Sequence, residues 1–413
     1  MNRPSGSAWD AAIDTIRRLR ANGHVALLAG GCVRDMLLGQ TPKDYDVATD
    51  ATPQRVDELF PRSRMVGAKF GVVLVRRRRH DIEVATFRSD GVYSDGRRPD
   101  DVRFGTDLED AKRRDFTING LFYDPIDDRV IDHVGGQADL NRRVLRTIGD
   151  PEQRFAEDHL RMLRAVRFAA RLGFPIDPAT TASIVRLADK LRLISAERIW
   201  SEFAQIITAP TRDVGWALLV ETGLVQWLAP TWRVRDDAVS GIGRRLAALP
   251  PTTIGAPLAL AALLVGDNGE TVRSICKGLR LSNRDADAVV WLLTMLPVVA
   301  DADRLEQADL KLAMLNDRWS DLLELLRATR VAANERTDPY DALVRRSAAV
   351  DPATLSPVPL LDGDELLGMG MSPGPALGRV FDAVYRAQLN ETIASKADAV
   401  ALAQECMAAE NAS

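Results

Sequence analysis

Two aspartates one residue apart, Asp44 and Asp46 in Lys43-Asp44-Tyr45-Asp46-Val47, are the pair best suited to chemistry. Residues 44–48 read as a short strand, in which positions i and i+2 share a face. Asp44 and Asp46 then project together, with Tyr45 and Val47 on the opposite side. Adjacent carboxylates repel unless a cation joins them. A hard divalent ion such as Mg2+ does so, and phosphoryl transfer needs one. Surface turns also carry Asp-x-Asp, so context has to decide. Upstream, Leu28-Ala29-Gly30-Gly31-Cys32-Val33-Arg34-Asp35 reads as strand, glycine turn and a short helix ending at Gly39. Glycines let a phosphate approach the backbone, and a helix start offers free N–H groups. Arg34 falls one turn into that helix, near the same phosphates. A plain packing turn has the same pattern. A third acid, Glu83, lies between apolar Ile82 and Val84 and so shares its face with Ala85 and Phe87. Joining the metal site and solvation on an edge strand both account for it.

These side chains need short, rigid elements to hold them. Residues 24–29, 71–75 and 81–87 read as further strands, and Thr52-Pro53 caps a helix over 54–60. After Pro151 the apolar spacing changes to the helical period, as in 156–172, 196–207, 256–264 and 285–296. The fold class is therefore α+β at the head, followed by all-helical units. Breaks fall at Ala209-Pro210, Pro250-Pro251 and 356–359. A chain of 413 residues exceeds a single core and divides into two to four units. No apolar run reaches the ~18 residues of a membrane span, and the first residues lack a signal core, which points to the cytoplasm. Cys32, Cys276 and Cys406 have neither metal nor disulfide spacing, and no histidine follows His159. With a net charge of −4, a polyanionic partner requires local basic clusters. Arg76–Arg79 form one such run, suited to RNA phosphates or to a solvated hairpin end.

Gly30-Gly31-x-Val33-Arg34-Asp35 followed by Asp44-x-Asp46 resembles the class II tRNA nucleotidyltransferase and bacterial poly(A) polymerase family. The likeness continues through Arg113-Arg114-Asp115-Phe116-Thr117-Ile118-Asn119, Glu157-Asp158-x-x-Arg161-x-x-Arg164 and Ala196-Glu197-Arg198. It is strong over about residues 25–205 and weaker beyond, where Gly363-Asp364-Glu365-Leu366 and Pro373-Gly374-Pro375 still look familial. The resemblance implies a polymerase-β-like nucleotidyltransferase head (1–150) and a helical neck that recognises the base (151–210). A helical body (211–300) and a tRNA-binding tail (301–413) follow. By the same resemblance Asp44 and Asp46 hold the metals, Glu83 completes the carboxylate set, Gly31 and Arg34 contact the nucleotide phosphates, and Arg114 helps hold the nucleotide. The implied reaction is addition of CCA, or part of it, to the tRNA 3′ end from CTP and ATP, with no template. Two metals would activate the 3′-hydroxyl for attack on the α-phosphate and stabilise the departing pyrophosphate.

A neck helix over 157–172 places Asp158 and Arg161 as i, i+3 neighbours, an acceptor beside a forked donor. Cytosine and adenine each present an amine beside a ring acceptor, which this pair matches. Uracil and guanine carry an oxo group where the amine would be, which Asp158 repels. Arg164 and Arg167 continue the row and are assigned to the nucleotide, although each step of three falls about 60° short of a full circle. Arg167 then points nearly opposite Asp158. A solvated basic face would show the same row.

Within the family, Val66-Gly67-Ala68-Lys69-Phe70 departs at Ala68 from the Gly-basic-basic-Phe signature of the poly(A) polymerases, which favours a tRNA-adding member. Residues 88–99 look like the family's loop for switching from C to A, against an enzyme that adds C alone. An A-adding enzyme and a poly(A) polymerase share the chemistry. An inactive RNA-binding relative is a different class, against which Asp44, Asp46, Asp158 and Arg161 all stand intact.

Overall fold

The computed structural model describes residues 6–66, 71–90, 102–229 and 231–411. Ala68, and positions 91–99 of the loop, lie outside the described residues. The chain forms two compact units, Met1–Arg233 and Val234–Ser413. No helix among the described residues is long and apolar enough to cross a membrane.

In the first unit the elements run α1 (Ser7–Ala21), β1 (Ala26–Ala29), α2 (Gly31–Leu37), β2 (Val47–Thr49), α3 (Pro53–Leu59), β3 (Ser63–Met65), β4 (Val72–Arg77) and β5 (His80–Thr86). They continue with β6 (Arg88–Asp90), β7 (Val102–Phe104), α4 (Asp107–Arg113), β8 (Leu121–Asp124), β9 (Arg129–Asp132) and α5 (Gly136–Arg142). Five helices follow: α6 (Pro151–Glu157), α7 (Arg161–Leu172), α8 (Pro178–Leu187), α9 (Ala196–Thr208) and α10 (Arg212–Glu221). Seven strands make one sheet in the order β3-β4-β5-β2-β1-β8-β9, and β6 pairs with β7. The pairs are antiparallel except β2–β5, which is parallel.

Alternation along the strands gives this sheet two distinct faces. Val73, Val75, Ile82, Val84 and Val47 are buried on the side that α1 and α3 cover. There Tyr45 meets Trp9 edge-on, with centroids 5.6 Å apart. On the other side Leu27, Ala29, Ala48, Phe87 and Phe122 pack with Ala111 of α4. The helix α3 starts as its sequence dictates, with Pro53 in the first turn and the Thr52 hydroxyl accepting from Arg55 N at 3.3 Å.

Two expected elements differ. The strand carrying the aspartates begins at Val47, not at 44. Its ladder reaches as far as the Asp46 carbonyl, which accepts from Ala29 N at 3.0 Å, and β1 then ends at the Gly30 turn. Asp44 therefore sits in a bend, with no partner strand to extend it. The helix over 157–172 is also broken. Asp158 leaves α6 with φ −154° and ψ 103°, and α7 starts only at Arg161. The Asp158 side chain accepts from Leu160 N at 3.1 Å, a local bond that competes with the helical ladder.

The second unit is helical. Its helix Ala256–Leu264 is buried from Pro257 to its end, as an all-apolar helix must be. It packs against Asp236–Ala248, Asn283–Val299 and Trp319–Ala332. A smaller core near the C-terminus gathers Leu361, Leu366, Val380, Val384, Ala399 and Ala403.

Candidate active site

A cleft of about 610 Å³ opens on the α4 side of the sheet. Ala29, Ala48 and Ala85 form its floor, and α2, α4 and α7 contribute to its walls. It collects Gly31, Arg34, Asp46, Glu83, Arg114, Asp158, Arg161, Arg164 and Arg167, residues drawn from positions up to 136 apart in sequence. Asp44, exposed in the bend before β2, is the one expected site residue outside that lining.

The parallel register of β2 on β5 pairs Val47 with Val84, which sets Asp46 beside Glu83. Burial, then the Glu83 charge, push the Asp46 carboxyl up to about 6, with Asp44 adding and Arg114 opposing. The folded chain thus keeps a proton that the unfolded chain releases near 3.8. Ionising it costs the fold stability as pH rises through that window. A cation at the carboxylates removes that cost. Among the described residues no three Asp, Glu, His or Cys side chains already form a metal cage. The nearby donors are all carboxylate oxygens, which is the set a hard divalent ion takes.

Around the carboxylates the cleft is strongly basic, with nine arginines against four acids in a chain whose net charge is −4. Most are held in place. Arg34 donates to Asp35 at 2.8 Å and to the Asn119 side chain at 2.6 Å. Asn119 donates to Asp115 at 3.1 Å, and Arg164 donates to the other Asp115 oxygen at 2.8 Å. Burial pushes the Asp115 carboxyl up, but Arg164 and the hydrogen bonds outweigh it and hold it below the usual range. Arg167 reaches Glu202 at 2.6 Å. The guanidiniums of Arg34, Arg164 and Arg167 stand 5.3, 5.4 and 4.4 Å from the centre of the Phe168 ring. One aromatic thus carries three cations at the wall of the cleft.

Arg167 therefore faces the same cleft as Asp158. A single helix through both residues would put Arg167 on the far side, but the helix breaks at Asp158. Arg161 ion-pairs with Glu157 and donates to the Arg154 carbonyl at 3.0 Å. Asp158 receives Arg198 at 2.7 Å. Arg198, Asp115, Asn119 and Glu202 were not singled out from sequence for the site. Three of them stood inside the quoted segments Arg113–Asn119 and Ala196–Arg198, but their partners lie 35 to 49 residues away or more.

Gly30 shows how tightly the turn is built. Its φ is +71°, and a Cβ there would stand 2.6 Å from Nη1 of Arg114, which donates to the Asn119 carbonyl at 3.1 Å. Gly30→Ala is expected to lose about 1–3 kcal/mol of stability through backbone strain. It should also raise the KM for nucleotide by displacing Arg114. Urea unfolding and steady-state kinetics check both, and an unchanged KM would show that Arg114 does not serve the nucleotide.

Residues 26–146 match the poly A polymerase head domain, and residues 173–234 match the "Probable RNA and SrmB-binding site of polymerase A". A CCA-adding enzyme of Geobacillus thermodenitrificans (strain NG80-2) is 34% identical over 394 residues, 95% of each chain. The chain belongs to the tRNA nucleotidyltransferase and poly(A) polymerase family. Poly(A) polymerase I of Escherichia coli O6:H1 is 46% identical over 231 residues, 53% of this family member and 50% of that enzyme. The crystal structure of the Bacillus stearothermophilus CCA-adding enzyme in complex with CTP has the same fold, with a TM-score of 0.79 at 29% identity. It covers 99% of this nucleotidyltransferase and 100% of the other chain. The α+β head with a helical remainder is thus the family's fold, and the chain is a nucleotidyltransferase.

Proposed function

We propose that this nucleotidyltransferase completes the 3′ end of tRNA, adding CCA from CTP and ATP without a template. The observation that carries the reading is one cleft holding the carboxylates Asp46 and Glu83 at one side and the acceptor–donor pair Asp158 and Arg161 at another. The full-length likeness to CCA-adding enzymes supports tRNA as the substrate. The poly(A) polymerase likeness reaches 53% of the chain.

Asp44 and Asp46, with Glu83, would hold Mg2+, whose chemistry there is to neutralise charge on the triphosphate and lower the pKa of the attacking hydroxyl. The chain's own groups do the rest. Gly31, Arg34 and Arg114 present N–H donors to the phosphates, and Arg164 and Arg167 add positive charge at the Phe168 wall. Asp158 accepts from the exocyclic amine of cytosine or adenine while Arg161 donates to the neighbouring ring acceptor. Two Asp158 lone pairs are already taken by Arg198 and Leu160 N, which fixes the carboxylate's direction. An oxo group in place of the amine would face a carboxylate, so uracil and guanine are refused. The proposed division of labour is catalysis in 1–150, base recognition in 151–210, and a helical body (211–300) with a tRNA-binding tail (301–413). The cytoplasm, where tRNA ends are repaired, is the expected location.

Three tRNAs, ending before CCA, after one C and after CC, test the reading when given CTP and ATP separately and together. Full CCA addition extends all three to the same end. Extension of the CC-ended tRNA alone would indicate an A-adding enzyme instead.

A further inference from the structure

At the β4–β5 hairpin end of the sheet, a second cavity of about 290 Å³ is lined by five arginines, Arg18, Arg62, Arg76, Arg77 and Arg78, with Phe60 and Pro61. Arg77 follows Val73 and Val75 on the face covered by α1 and α3, whereas Glu83, paired with Leu74, faces the cleft. The cavity shares no lining residue with the cleft that holds Asp46. Arg76 is neutralised by Asp81 at 2.8 Å, and Arg78 by Asp14 at 2.8 Å and Asp10 at 3.4 Å. Among the described residues Arg18, Arg62 and Arg77 have no carboxylate partner. Arg18 and Arg77 instead lie 5.3 and 5.6 Å from the centre of the same Phe60 ring. The Arg77 Nε is buried with no acceptor. Arg78 and Arg79 also fill both left-handed positions of the β4–β5 hairpin turn, at φ 46° and 70°, where Asn-Gly is the usual pair. Arg18, Arg62 and Arg77 thus bring three guanidiniums without carboxylates to one cavity, a concentration of positive charge that an anion would offset.

We infer that this pocket binds a backbone phosphate of the RNA substrate, as an electrostatic anchor separate from the catalytic cleft. The guanidinium fork matches phosphate oxygens. Arg18, Arg62, Arg76 and Arg78 are exposed, which suits a polymer that runs across the site better than a small anion enclosed by it. The inference rests on the reading that the substrate is an RNA, tRNA in this case.

The test uses the full-length protein and its Arg18→Gln, Arg62→Gln double variant, with Arg62→Gln alone as a second variant whose side chain is exposed in a loop. A labelled tRNA lacking CCA is titrated at salt concentrations between about 50 and 200 mM. The double variant should bind about 10-fold more weakly at low salt, and its plot of log affinity against log salt should be shallower by about 1–2. Its kcat at saturating tRNA and its KM for CTP should stay at wild-type values. Unchanged affinity and slope would overturn the inference, as would a fall in kcat at saturating tRNA. Calorimetric titration with inorganic phosphate and with pyrophosphate provides the other arm. Binding lost in the variants, with the tRNA slope intact, would assign the pocket to a small anion and overturn the RNA assignment. Failure of the wild type to extend tRNA would instead contradict the functional reading, and the binding slopes remain measurable in that case.

Discussion

Replacing Asp44 and Asp46 together with alanine should lower kcat for nucleotide incorporation by about 10³-fold or more, roughly 4 kcal/mol of barrier. The size follows from what the pair is placed to do. Asp46 stands beside Glu83 through the β2–β5 register, and burial, then the Glu83 charge, lifts the Asp46 carboxyl to about 6. Such a pair is an unfavourable arrangement until a divalent ion joins it. The substitution removes the groups proposed to hold that ion while leaving β2 and its ladder in place, because Val47–Thr49 form the strand and Asp46 contributes only its backbone. Stability offers a readout independent of activity. Millimolar MgCl2 should raise the wild-type Tm at pH 7.5, where Asp46 is ionised, and should leave the double variant unmoved. The empty double variant should itself be at least as stable as the wild type at that pH, since it no longer carries the repelling charges. Incorporation surviving in the double variant would show that the metal is held elsewhere.

The second large effect falls on base choice. Asp158→Ala should reduce discrimination of CTP against UTP by about 10–100-fold, the 1–3 kcal/mol typical of one good base contact. It should also lower kcat/KM for CTP and ATP alike. Part of that loss is structural. The side chain accepts from Leu160 N just before α7 and receives Arg198 at 2.7 Å, so alanine removes a local turn bond and leaves a half-buried cation without its partner. Asp158→Asn separates the two contributions. Its amide keeps the shape and can accept from the cytosine amine, but turned over it donates to the uracil oxo group. Incorporation of U should therefore rise relative to C even where overall activity is retained. If both variants keep wild-type selectivity, another residue reads the base.

The parts of this site that were legible in the sequence are those made by local chemistry. Gly30-Gly31 turning from β1 into α2, Thr52-Pro53 starting α3, and Glu83 facing away from Ile82 and Val84 each depend on a few neighbouring residues. The break at Asp158 was not read, because the apolar positions of α6 and α7 keep the helical period across it. The signal present was the aspartate itself, a residue whose side chain bonds nearby N–H groups in preference to continuing a helix. Reading one helix there also misdirected Arg167. The arginine-holding network was illegible for another reason. Asp115 meets Arg164, Asp158 meets Arg198, and Glu202 meets Arg167 only once the helices pack, and nothing in the spacing of either partner announces the pair.

The chain's selectivity and its stopping point are read most directly by sequencing RNA ends. A tRNA lacking CCA is incubated with the wild-type protein, Mg2+ and all four nucleoside triphosphates together. Asp158 and Arg161 in the cleft with Asp46 and Glu83 predict that only C and A are added, and the proposed CCA addition predicts ends of C, CC and CCA with growth ceasing at the single A. Tails running past that A, or U and G at the added positions, would contradict it.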